Sequence, residues 1–158
     1  MRSLVAALLG AVAVLPSVAY AGTSTNTFKV QTTVTASCKI TPNDINLGTY
    51  DPTAGTTVQG NGVVSVVCTK GTTPVLSFAG ANASGQTQYM IGSSTSTKLA
   101  YNLYSDSSYS TNLVGANTTL GTSDGSTAQT MTVYAKVAAS QNVPADSYVD
   151  TVTVTASF

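Results

Sequence analysis

The sequence predicts an all-β fold, a sandwich of immunoglobulin type. Three observations carry that expectation. Short runs alternate at period two: Val64, Val66 and Cys68 against Val63, Ser65 and Val67; Leu99, Tyr101 and Leu103 against Ala100, Asn102 and Tyr104; Met131, Val133, Ala135 and Val137 against Thr130, Thr132, Tyr134 and Lys136. Turn signals separate them, among them Asp51-Pro52, Gly60-Asn61-Gly62, Gly71–Pro74, Gly80–Gly85, Asp124-Gly125 and Gln141–Ser147. Finally, no segment beyond residue 21 carries a 3.6-residue apolar stripe, and Thr, Ser, Ala and Val dominate.

The chain opens on an address. Met1 and Arg2 form a short basic end, Leu4–Leu15 is an apolar run too short to span a bilayer, and Ala19-Tyr20-Ala21 supplies small residues for cleavage. Residues 1–21 read as a secretory signal peptide cut after Ala21, and no later apolar run is long enough for a membrane span. Residues 22–158 suffice for one domain with a real core.

Next comes Thr25–Cys38. Phe28, Val30, Thr32, Val34, Ala36 and Cys38 share one face at period two, with Lys29, Gln31, Thr33 and Thr35 on the other. The stretch has no Pro or Gly to resist extension, so it reads as a strand with one face to bury, in its own domain or in another copy. The chain has two cysteines, and in an exported protein they read as one disulfide, Cys38–Cys68. Closing a loop of ~30 residues stabilises by roughly 3–4 kcal/mol on the chain-entropy model.

From Ile40 onward the expected strands lie near 45–50, 63–68, 75–79, 99–104, 130–137 and 148–158, one fewer than an immunoglobulin sandwich wants. In the last, Tyr148, Val152, Val154, Ala156 and Phe158 share a face. An edge is therefore short of a neighbour, while the N-terminal stretch is a strand without a sequence-adjacent partner. The two oddities resolve one another if an N-terminal strand completes a sandwich.

Composition argues against other classes. There is no histidine, and beyond Arg2 the cations are all lysines and the acids all aspartates, nearly in balance, so there is no electrostatic footprint for nucleic acid or anionic lipid. The usual general bases His and Glu are missing, so no enzyme is expected. Most aspartates stand beside turn formers, and Asp146 and Asp150 lack the Asp-dense loop that calcium needs. No cofactor, metal or small-molecule substrate is expected. Asn82-Ala-Ser and Asn117-Thr-Thr match glycosylation acceptors by coincidence, and Tyr89, Tyr104 and Tyr109 read as strand-edge packing before a sugar-binding surface.

Several motifs in order resemble the spore coat protein U domain family, which includes the major subunits of archaic (Csu-type) chaperone–usher pili. They are Phe28-x-Val30-x(3)-Val34-x(3)-Cys38, Leu47-Gly48-Thr49-Tyr50-Asp51-Pro52, and Val66-Val67-Cys68-Thr69 followed by Gly71-Thr72. Leu99–Tyr104 with Asp106, Thr132–Val137 with Gln141, and Tyr148–Val154 complete the set. Ala135, Lys136 and Ser147 depart from the residues expected there, and no tryptophan follows the Tyr101 motif.

The resemblance implies an incomplete immunoglobulin-like sandwich (36–158) and an N-terminal donor-strand extension (22–35), with Phe28, Val30, Thr32 and Val34 facing inward. A periplasmic chaperone first lends a strand to the groove. At the outer-membrane usher the extension of the next subunit replaces it, giving a homopolymer by donor-strand exchange. The groove edge and chaperone contact fall on Tyr148, Val152, Val154, Ala156 and Phe158. Ten residues at ~3.3 Å each span ~33 Å, the length of such a sandwich. The implied function is a surface pilus subunit for adhesion and biofilm formation. A protective coat protein is the same-family alternative, and a tip adhesin, expected to carry an additional binding domain, is the other.

Overall fold

The computed structural model describes residues 20–158; the signal peptide assigned to 1–21 falls almost wholly outside them. Nine strands form, and no helix occurs among the described residues. They are β1 (Cys38–Pro42), β2 (Val58–Cys68), β3 (Val75–Gly80), β4 (Gln88–Gly92), β5 (Lys98–Tyr104), β6 (Asn117–Thr119), β7 (Gln129–Val137), β8 (Tyr148–Val149) and β9 (Val152–Ser157). Six make one sheet in the order β1-β2-β7-β5-β4-β8, and three make a second in the order β6-β3-β9. Every ladder is antiparallel.

The alternation seen in the sequence becomes the core. Val64, Val66 and Cys68 of β2, Leu99, Tyr101 and Leu103 of β5, and Val133, Ala135 and Val137 of β7 are buried from one sheet. Leu76 and Phe78 of β3 meet them from the other, joined by Leu113 and Val114 from the loop before β6. Burying a side chain of this size contributes ~1.5–3 kcal/mol, which explains why register follows the apolar pattern so closely. Cys38 and Cys68 stand directly opposite each other in the β1–β2 ladder and are disulfide-bonded. Just beyond the bridge, Thr69 N donates to Ser37 O at 2.8 Å and Thr69 Oγ1 accepts from Ser37 N at 3.1 Å.

Pairing starts at Cys38, where the disulfide and Thr69 hold the chain to β2, and Thr25–Ser37 joins no ladder within its own chain. Several expectations are corrected. Gly60-Asn61-Gly62 is no turn but lies inside β2, opposite Ala135, Tyr134 and Val133. The reason is space. A Cβ on Gly62 would stand 2.8 Å from Ile45 Cγ1 and 2.9 Å from Asn43 O, and one on Gly60 would stand 3.0 Å from Asn46 O. The glycines make a furrow in which residues 43–47 lie, with Ile45 and Leu47 half-buried. That segment, expected as part of a strand over 45–50, has no ladder of its own. β4 and β6 were not anticipated. The single final strand is two: β8 pairs with β4 and β9 with β3, because the chain crosses between sheets at Asp150-Thr151.

Replacing Gly62 by alanine forces residues 43–45 out of the furrow, with an expected loss of roughly 1–3 kcal/mol in chemical denaturation. Removing the disulfide by Cys38→Ser with Cys68→Ser is expected to lower the same quantity by roughly 2–5 kcal/mol.

Candidate binding cleft

β9 uses one edge for β3; its other edge has no ladder partner among the described residues. Facing it is the furrow segment 43–47, which hydrogen-bonds to β2 through Asn43 N and Val63 O at 2.9 Å. Between these two banks runs a cleft of about 520 Å³. Its floor is apolar, with Val64, Phe78, Leu103, Val133 and Ala135 among the lining, and its banks are Ile45 and Leu47 on one side and Val152 and Val154 on the other. A second cavity of about 680 Å³ shares Ile45, Leu47, Met90 and Tyr148 with the first and runs on to Tyr50, Val143 and Pro144.

Burial shows that this side of the sandwich is underpacked. Leu76 and Phe78 of β3 are 0 % and 4 % exposed, whereas Val152 and Val154 on the neighbouring strand are only half-buried although they point to the same core. Tyr148 also lines the cleft, its hydroxyl donating to Pro144 O at 2.8 Å. Ala156 packs against the core beyond the cleft lining, and Phe158 follows β9 and is 58 % exposed. Of the expected groove-edge residues, the fold therefore gathers Tyr148, Val152 and Val154 at the cleft. Met90 and the furrow residues were missed; a Tyr89-Met90-Ile91 run ended by Gly92 was the available signal for β4.

Two aspartates brace the cleft. Asp150, at the crossing between β8 and β9, accepts from Tyr101 Oη at 2.8 Å and from Asn82 Nδ2 at 2.9 Å. Burial and then the Asp150 carboxylate push the Tyr101 phenol well above its ordinary range, so it remains a donor. Asp146 accepts from the backbone of Ser94 (2.9 Å) and Thr95 (2.8 Å) and from Thr95 Oγ1 (2.8 Å), tying the β4–β5 turn to the approach of β8. Those donors hold its carboxyl at about 2. Tyr50 Oη donates to Ala138 O at 3.1 Å and accepts from Gln141 N at 2.7 Å, pinning the far end.

The expected donor residues stand differently. Phe28, Val30 and Val34 are 88 %, 87 % and 78 % exposed, and Thr32 is exposed beside them. Tyr109 contacts Tyr104 and Tyr134 edge to face, with Lys136 Nζ 5.4 Å from the Tyr109 ring centre and Lys98 Nζ 5.3 Å from that of Tyr89. The aromatics thus spend their faces on one another and on lysines.

The family model described as Spore Coat Protein U domain matches residues 24–155, which takes in the exposed stretch, the furrow and almost all of β9. The chain belongs to that family. Among solved structures, it is similar to a chain of the crystal structure of the CsuC–CsuE chaperone–tip adhesion subunit pre-assembly complex from the archaic chaperone–usher Csu pili of Acinetobacter baumannii. The TM-score is 0.57 at 24 % identity, covering 80 % of this chain and 41 % of that one. That likeness concerns the fold. No curated protein matches.

Asp146 ties pH to this region. Its folded carboxyl titrates at about 2 against an ordinary 3.8, so its contribution is full above ~4 and is lost as pH falls toward ~2. Thermal midpoints measured from pH 6 to pH 2 are expected to fall over that window, with a shallower fall in Asp146→Asn.

Proposed function

We propose that this protein is a structural subunit of a surface fibre, polymerised by donor-strand exchange. The observation that carries the reading is the unpaired β9 edge beside an apolar cleft in a chain that also exposes Phe28, Val30 and Val34 at strand spacing. The extension of one copy enters the cleft of the next as an added strand. Its backbone pairs with β9, and its alternate side chains complete the core between Val152–Val154 and Ile45–Leu47. Burial of Phe28 and two valines then contributes ~1.5–3 kcal/mol each. Donor and acceptor are different parts of one chain, so the contact is heterologous and does not close on itself, which makes fibres.

Assembly of this kind needs a protected cleft before polymerisation. The similar crystal structure is a chaperone–subunit complex of a chaperone–usher pilus, which supports a periplasmic chaperone that fills the cleft and an outer-membrane usher that exchanges it. The predicted signal peptide supports export through the periplasm to the cell surface, where the fibre serves adhesion and biofilm formation. The role is structural, not enzymatic. The family's description favours a second product of the same assembly, a protective coat.

The test is assembly of the full mature chain. Wild type is expected to form denaturant-resistant multimers, and Val30→Asp, which places a charge on the inserted face, is expected to remain monomeric in size-exclusion chromatography. Multimers of unchanged stability from Val30→Asp sink the reading.

A further inference from the structure

Charge in this molecule is scarce, and the acids are almost all accounted for. Asp51 accepts from Thr53, Asp106 from Ser110 and Thr111, Asp124 from Ser126 and Thr127, Asp146 from Ser94 and Thr95, and Asp150 from Tyr101 and Asn82. Asp44 is the exception. Its side chain is exposed, accepts no hydrogen bond from any described residue, and stands on the bank of the cleft, next to inward-facing Ile45. The cleft lining contains two charged residues, Asp44 and Asp150, and no cation. Conversely, residues 20–37 carry a single charged side chain, Lys29.

We infer that Lys29 of one copy pairs with Asp44 of the next and sets the register in which the extension enters the cleft. This rests on the strand-addition reading above. Alternation does the positioning: with Phe28 and Val30 facing the core, Lys29 lies on the outer side of the inserted strand, and Asp44 lies on the outer side of the bank, where exposed Asp44 and Asn46 alternate with half-buried Ile45 and Leu47. A slip of two residues keeps an inward set of a similar kind, Val30 and Thr32 replacing Phe28 and Val30, so apolar matching alone discriminates weakly. That slip moves the ammonium by ~6.6 Å and leaves Thr27 or Gln31 beside Asp44. A one-residue slip is excluded by the facing of the apolar set. The pair thus selects among the slips that burial tolerates. Asp150 is less suited, because two neutral donors already occupy its oxygens.

Full-length chains carrying Lys29→Asp alone or Asp44→Lys alone place like charges at the joint. At low salt each is expected to assemble with an association constant roughly two- to thirtyfold below wild type, the span that a lost exposed pair and an added repulsion allow. An equimolar mixture of the two variants restores opposite charges at every joint, in strict alternation. The mixture is therefore expected to assemble like wild type, with both variants present equally in the multimers. Rescue also shows that both variants fold. At ~1 M salt, where screening acts within ~3 Å, the differences are expected to shrink.

Single variants that assemble as wild type at low salt overturn the pairing and leave strand addition standing. Rescue by the double variant in one chain without rescue by mixing overturns it as a contact between copies. A wild-type chain that does not assemble at all defeats the strand-addition reading, and the pairing with it.

Discussion

The free edge of β9 is the constraint on which the rest of the structure turns. A sandwich is stable when both inner faces are covered and the edges are short, paired or blunted. Here the six-stranded sheet supplies a complete inner face through β2, β7 and β5, while the opposite sheet has only three strands and ends at β9. Leu76 and Phe78 are sealed by neighbours on both sides; Val152 and Val154 have one neighbour only. The cleft is the space a further strand would fill.

Other features preserve that space instead of letting it collapse. Gly60 and Gly62 let residues 43–47 sink against β2, so the far bank is held by backbone packing and does not fold over the opening. Asp150 fixes the crossing from β8 to β9 through Tyr101 and Asn82, Asp146 fixes the turn beside it, and Tyr50 bonds to 138 and 141 at the other end. At the opposite end of the furrow strand, the disulfide joins β1 to β2 at the first pair after the extension. A preformed groove loses little conformational entropy on filling, which favours tight insertion.

Much of this was legible in the sequence. The all-β class, the inward sets of β2, β5 and β7, and the disulfide followed from period-two alternation and from two cysteines in a chain read as exported. An edge short of a neighbour was legible too, although by a count that was wrong in detail: β4 and β6 were absent from it, and 45–50 was counted as a strand. The errors share a cause. Gly60-Asn61-Gly62 has the composition of a turn, but its glycines are small for the sake of a distant segment, and local sequence does not record distant packing. Likewise Tyr148–Phe158 alternates almost without break, and only the ladder partners of β8 and β9 reveal that it changes sheets. The cleft itself was foreseeable as a missing neighbour; its second bank was not.

The extension poses a problem that its own composition answers. A segment exposing Phe28, Val30 and Val34 at strand spacing is an aggregation hazard wherever another edge is free, and this chain carries such an edge. Yet every second residue is polar, the apolar positions are diluted by Thr32, and one lysine sits between the two largest of them. Stacked against copies of itself, the segment would set Lys29 against Lys29, a repulsion that grows with each added strand. Set into the cleft, the same lysine meets a rim whose charges are carboxylates. In the proposed assembly one charge would thus oppose self-stacking and favour insertion, which would let a chain with so few charges expose both an apolar strand and an open edge and still discriminate between them.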